Sequence, residues 1–105
     1  MRFGPWYPLA EASTHAPAAP GLFQVRLAEG LRPYPRGKSA MVHYQVAVDV
    51  RAEAVAFAAA WPGAPWVCRH AIELAPDDDP AVHHARLLRL FVDRFGVAPS
   101  PPAAR

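Results

Sequence analysis

The alternation of hydrophobic and polar positions predicts three strands in this chain. Residues 22–27 and 41–48 have the β-branched and aromatic composition of strands, and residues 66–72 alternate apolar with polar side chains. Between the first two strands, residues 31–39 contain two prolines, which fix the backbone and lack an amide donor. We therefore expect 31–39 to form an extended or looping connection and not the interior of a sheet.

Two helices are predicted from apolar positions that recur at helical spacing. Asp49 is a suitable N-cap for the first helix, and a Pro-Gly pair at 62–63 ends it. Asp79 followed by Pro80 is a favoured start for the second helix, and Gly96 is a favoured end. The predicted fold class is therefore α+β, with a small three-stranded antiparallel sheet flanked by helices.

The chain is predicted to contain one domain with an extension at each end. Residues 1–20 form a Pro/Ala-rich N-terminal arm that packs on the domain through aromatic side chains such as Trp6 and Tyr7. Residues 21–98 form the domain. A chain of 105 residues has the length of a single domain. Residues 99–105 are rich in proline and alanine and are expected to be a flexible tail.

Composition narrows the choice of partners and compartment. No apolar stretch approaches the length that spans a bilayer, so we expect no membrane partner. A single cysteine, Cys68, excludes an internal disulfide and fits a reducing compartment, so a cytoplasmic location is predicted. The formal net charge of +2 and a pI near 9.1 permit DNA or RNA binding without requiring it.

The order of these segments resembles that of the GIY-YIG nuclease family, including bacterial members. The strand-like segment 21–26 precedes a basic loop and a second strand-like segment at 41–46, and Asp49-Val50-Arg51 stands where the family's first helix begins. The flanks at 6–9 and 94–99 are also similar to those of the family, so the resemblance covers nearly the whole chain. It implies a GIY-YIG-like α+β fold.

The resemblance also implies where catalytic residues would lie. Family members hydrolyse a phosphodiester with two strand tyrosines, a helix arginine and a glutamate that holds one divalent metal. The first tyrosine position is occupied by Phe23 and the second by His43, while the arginine position is Glu53 and the glutamate position is His84. All four positions are substituted, so the family's mechanism is not expected here.

A reworked active site is an open alternative. It would use His43, Tyr44, Arg51 and His84 as catalytic residues, with a divalent metal on His84 and His43. Tyr44 follows His43 on a strand and should point to the opposite face, and Arg51 should face away from the Glu53 side of the helix. The alternative therefore needs a rearrangement at both positions.

A second alternative is a transition-metal site of cysteine and histidine. Strand alternation places Cys68 and His70 on one face, and three further histidines would approach them in the predicted fold. The candidate ligands are His43, Cys68, His70, His83 and His84. The competing interpretation is that Cys68 is a small buried hydrophobe and that the histidines lie on the surface or are hydrogen bonded.

The proline-stiffened loop carries candidate nucleic-acid contacts. Arg32, Arg36 and Lys38 could contact phosphates while Tyr34 stacks on a base. The loop is not a phosphate-binding P-loop, because Arg32 occupies the position where that motif requires glycine. The competing interpretation is a structural loop whose charges are solvated.

Three functional hypotheses follow from the sequence. The leading one is a catalytically degenerate GIY-YIG-like domain that binds nucleic acid or a protein partner. The second is a nuclease or other metal-dependent enzyme with a reworked His/Tyr/Arg site. Only this second hypothesis calls for a cofactor, which would be a divalent metal. The third is a small accessory subunit of a complex.

Overall fold

Seven strands and three α-helices follow one another in the computed structural model, which describes residues 1–102. In chain order the elements are β1 (Arg2–Phe3), β2 (Tyr7–Pro8), a 3-10 turn (Leu9–Glu11), α1 (Ala12–His15), β3 (Gly21–Leu27), β4 (Arg32–Pro33), β5 (Lys38–Ser39), β6 (Met41–Ala47), α2 (Val50–Ala60), β7 (Trp66–Glu73) and α3 (Pro80–Phe95). The predicted tail 99–105 is described only as far as residue 102, and its last three residues lie outside the described part.

The main sheet is antiparallel and has β3 in its centre. β6 pairs with one side of β3 and β7 with the other, and both β1 and β2 pair with the outer edge of β7. The α+β class and the antiparallel sheet are confirmed, but the sheet has five strands and not three. The two additional strands come from the arm, where two-residue strands leave no alternating pattern in the sequence.

The basic loop folds into a separate two-stranded hairpin of β4 and β5. Arg32 pairs with Ser39 and Pro33 with Lys38, and the Tyr34 amide donates to the Gly37 carbonyl at 2.9 Å. Pro33 lacks the amide hydrogen that a central strand would need, which accounts for the hairpin's position outside the main sheet.

One face of the main sheet carries the larger core. Phe23 and Val25 alternate along β3, and register pairs Val25 with Cys68 on β7, so these three side chains share a face. α2 packs here with its buried residues Val50 and Ala54. The predicted placement of Cys68 and His70 on one face agrees with this register.

α3 covers the opposite face of the sheet. His43 stacks on Phe57 of α2, whereas the next residue, Tyr44, meets Phe91 of α3 edge to face. Successive strand residues point to opposite faces, so the two helices lie on opposite sides of the sheet. None of the helices in residues 1–102 has the length and apolar character needed to cross a membrane.

Candidate functional site

His43 lies on β6 in an aromatic environment beneath α2. Its ring stacks on Phe57 with centroids 4.2 Å apart and an interplanar angle of 26°. Phe23 of the central strand lies on another side, with its ring centroid 5.8 Å from that of His43. The imidazole is half-buried, and these two rings fix its orientation.

A chain of hydrogen bonds connects His43 to the first turn of α2. His43 Nε2 lies 2.7 Å from Gln45 Oε1, and Gln45 Nε2 donates to Glu53 Oε2 at 3.0 Å. An ionised carboxylate only accepts hydrogen bonds, so the Gln45 amide must face Glu53 with its NH₂ group. The carbonyl end then faces His43, which makes Nε2 the protonated ring nitrogen and leaves the lone pair on Nδ1.

The surroundings keep His43 neutral. Burial lowers the pKa of its imidazole, the hydrogen bond to Gln45 partly opposes this, and the nearby His84 lowers the pKa further. A neutral imidazole oriented by a second polar group is the form required of a general base or a metal ligand. The arrangement can therefore accept a proton at Nδ1.

His84 approaches the same edge strand from α3. Its Nε2 lies 3.3 Å from the Tyr44 carbonyl oxygen, and its presence contributes to the lowered pKa of His43. His84 thus reaches the backbone of β6 from the α3 side, whereas the His43 ring packs against α2 on the other side of the sheet. Within residues 1–102, no group of three or more His, Cys, Asp or Glu side chains is placed to hold a metal ion.

Phe23 and Glu53 occupy the other two positions at which the sequence resemblance predicted catalytic residues. Phe23 is 0% exposed and belongs to the core. Glu53 is exposed at the start of α2, where it accepts the hydrogen bond from Gln45. The four positions thus contribute a buried ring, two imidazoles and a carboxylate.

Tyr44 and Arg51 lie apart from His43. Tyr44 points to the α3 face, where burial raises the pKa of its phenol while the charge of Arg69 lowers it. Arg51 Nε donates to the Ala16 carbonyl at 2.7 Å and so holds the arm against α2. The guanidinium of Arg51 is therefore engaged by the arm, and no hydrogen bond connects Arg51 with His43.

Cys68 and His70 are partners of the arm. The Tyr7 hydroxyl lies 3.0 Å from His70 Nδ1, and β2 pairs Tyr7 with Cys68. Burial raises the pKa of the Cys68 thiol to about 11, although a hydrogen bond from Tyr7 opposes the rise. Cys68 is therefore a protonated core residue, as the competing interpretation expected.

His83 lies at the start of α3, away from these two residues. Its Nε2 is 3.3 Å from Asp78 Oδ1 in the loop that precedes the helix. The five candidate ligands therefore fall into three separate places: the β6 edge, the Tyr7 contact and the start of α3. The predicted convergence of Cys68 and the histidines is absent from the described residues.

The basic loop makes mainly intramolecular contacts. Tyr34 is 8% exposed, donates to the Met41 carbonyl at 2.6 Å and meets the Phe91 ring edge to face. Arg32 donates to the Ser100 carbonyl at 2.6 Å, and Arg36 donates to the Asp93 carbonyl at 2.9 Å at the end of α3. A base cannot stack on Tyr34 in this structure as predicted, because the ring is buried.

Lys38 alone among the predicted loop contacts projects without a described partner. It is exposed, and residues 1–102 place no hydrogen-bond acceptor or carboxylate on its ammonium. It remains a candidate phosphate contact.

Sequence reasoning missed the role of Gln45. No sequence pattern assigned it a role, yet it connects His43 to Glu53. The signal was present in strand alternation, because residues 43 and 45 share a face and residue 53 lies in the first turn of the following helix. Comparison with family models, curated proteins and solved structures found no match.

Proposed function

We propose that this chain is a nucleic-acid-binding domain with a GIY-YIG-like fold that does not hydrolyse phosphodiesters by that family's mechanism. The observation that carries the proposal is the distribution of charge about the sheet. Most basic side chains lie on the α3 side, either on that helix, on the hairpin that packs against it or on the sheet face beneath. They are Arg26, Arg32, Arg36, Lys38, Arg69, Arg86, Arg89 and Arg94.

Many of the acidic side chains lie elsewhere, although Asp93 is on α3 and Asp79 caps that helix. Those near α2 and α1 include Glu11, Asp49 and Glu53, and a second group at residues 73–79 lies before α3. The exposed face of α3 carries Arg86 and Arg89, which line a shallow open groove of about 600 Å³. Clustered arginines on one side of a domain attract a polyanion even when net charge is small.

The substituted motif positions support the absence of the family's hydrolysis. Phe23 has no hydroxyl to transfer a proton, and Glu53 would repel a phosphate that an arginine would hold. An imidazole at His84 suits transition metals better than the magnesium that a carboxylate would hold.

The proposal is tested by fluorescence anisotropy with short labelled single-stranded DNA and RNA. We expect saturable binding that weakens steeply between about 50 and 200 mM salt, since phosphate contacts release counterions. Replacement of Arg86 and Arg89 by glutamine should make the plot of log affinity against log salt less steep. The negative slope should shrink in magnitude by about 0.7 for each phosphate that the protein no longer neutralises.

Arg2→Gln is the matched control, because it removes one positive charge that Glu73 already pairs at 2.6 Å. Its affinity should stay close to that of the unmodified protein. The proposal fails if neither oligonucleotide binds at the lower salt, or if binding does not depend on salt.

One observation favours a second function, hydrolysis by a reworked site. Burial favours the neutral imidazole of His43, Gln45 and Glu53 orient it, and His84 contacts the backbone of the same strand. In this alternative His43 Nδ1 accepts a proton from water, and a metal on His84 is not required for that step. If the unmodified protein cleaves the same oligonucleotides and both His43→Ala and His84→Ala abolish cleavage, hydrolysis is established and binding alone is not a sufficient account.

A further inference from the structure

Two arginines on the α3 face of the sheet share one tryptophan. Arg26 on β3 and Arg69 on β7 point to the same face as Gln24, since register pairs Gln24 with Arg69 and Arg26 with Val67. The guanidinium carbon of Arg26 lies 4.1 Å from the Trp6 ring centroid, and that of Arg69 lies 4.4 Å from it. The arm thus holds two positive charges as close neighbours.

The Arg69 guanidinium has a fixed orientation. Its Nε donates to Gln24 Oε1 at 2.8 Å, and Gln24 is 2% exposed. The Phe3 ring of β1 supplies a second aromatic surface, with its centroid 4.5 Å from the Arg69 guanidinium carbon. The bond to Gln24 uses only one of the five N–H donors of Arg69, so the outer donors stay available.

No carboxylate within residues 1–102 forms an ion pair with either arginine. Two like charges held together are unfavourable, and this is reflected in Arg69, whose pKa is lowered first by burial and then by the charge of Arg26. An anion that accepts from the outer donors of both arginines would offset this repulsion.

We propose that Arg26 and Arg69, positioned by Trp6 and Gln24, form a phosphate-binding site. The planar donor fork of arginine matches the geometry of phosphate oxygens, and stacking on aromatic rings reduces the freedom that binding would otherwise remove. This inference rests on the proposed function for the source of the phosphate, which is then the backbone of a nucleic acid. Free phosphate offers the same chemistry and is distinguished below.

The alternative role of the arginines is to hold the arm through cation–π contacts alone. Such contacts contribute about 0.5–1 kcal/mol each at exposed sites, and they need no anion. The test therefore requires a measurement that reports on the guanidinium groups themselves and not only on stability.

The experiment follows the arginine Nε–H resonances of the full chain by NMR during two titrations. One titration uses inorganic phosphate and the other a short single-stranded oligonucleotide, with sodium chloride of equal ionic strength as the blank. We expect the Arg26 and Arg69 resonances to shift saturably with both phosphate compounds and not with chloride. The Arg2 resonance is the internal control and should not shift.

Substitutions test whether the arginines whose resonances shift also contribute to oligonucleotide affinity. Arg26→Gln and Arg69→Gln should each weaken oligonucleotide binding about tenfold, the loss expected for one charged hydrogen-bond pair. Arg69→Lys keeps the charge, and it should still weaken binding because the planar fork is lost. Arg2→Gln should leave affinity unchanged.

The outcomes separate this inference from the proposed function. A shift with inorganic phosphate but no oligonucleotide binding supports the site while refuting nucleic-acid binding. Oligonucleotide binding without a shift of either arginine, and with full affinity in Arg69→Lys, overturns the site while the proposed function stands. An absence of shifts in both titrations also overturns the site.

Discussion

At the scale of single residues, the side chains of Gln45 and Glu53 complement one another. Gln45 can accept from His43 only because its amide donates to a carboxylate at Glu53. An arginine at position 53 would present donors to the amide and would favour the opposite orientation of Gln45. The two changes together therefore stabilise one tautomer of His43.

Two histidines make stability depend on pH. Burial lowers the pKa of His43 and of His70 in the folded protein, whereas an unfolded histidine titrates near about 6.5. As pH falls, the unfolded chain binds protons first, so the stability present above about pH 6.5 is lost as pH falls toward the folded pKa values. Urea unfolding should show a lower midpoint at about pH 5.5 than at about pH 7.5.

The control for this prediction removes the two groups. Replacement of both His43 and His70 by glutamine should flatten the dependence over this range, while His15→Gln, on an exposed residue of α1, should preserve it. Equal midpoints for the unmodified protein at the two pH values would contradict the assignment.

Residue roles that depend on distant partners could not be predicted from the sequence. Tyr34 and Arg36 are candidate nucleic-acid contacts by their place in a basic loop, yet their partners are Met41 and the end of α3. Local composition reports charge but not which carbonyl lies opposite in the folded chain. The strand face of Cys68 and His70 was predictable, because alternation alone determines it.

At the scale of elements, local signals located the longer ones well. α3 spans Pro80–Phe95, with the Asp79 side chain capping its start and Gly96 at φ 95° ending it. Cap residues act within one turn, so sequence is sufficient to place such boundaries. β1 and β2 are too short for such signals, and they form by pairing with the edge of β7.

The cap of α3 gives a prediction at this scale. Asp79 Oδ1 accepts from the Ala81 amide at 2.9 Å, so Asp79→Ala should lower the free energy of unfolding by about 1 kcal/mol. Asp77→Ala makes the same chemical change in an exposed neighbour outside the helix and should cost less than about 0.5 kcal/mol. Urea unfolding of the two variants side by side measures the difference, and equal losses would contradict the capping role.

At the scale of the whole molecule, the sheet divides the protein into two chemically different sides. The α2 side holds the larger core and the chain from His43 to Glu53, while the α3 side carries most of the arginines. The fold class was predictable from periodicity, but this division was not. It depends on which face each helix covers, and a single sequence leaves that choice open.

The central claim is that the α3 side of the protein binds nucleic acid and that the protein does not cleave the bound strand. The most direct test incubates labelled single-stranded DNA and RNA with the protein in magnesium, manganese, zinc or nickel and divides each mixture between a native and a denaturing gel. We predict a retarded band on the native gel and uncut strands on the denaturing gel under every metal. Cleaved strands that disappear in His43→Ala and His84→Ala, or strands that migrate as free oligonucleotide, would contradict the account.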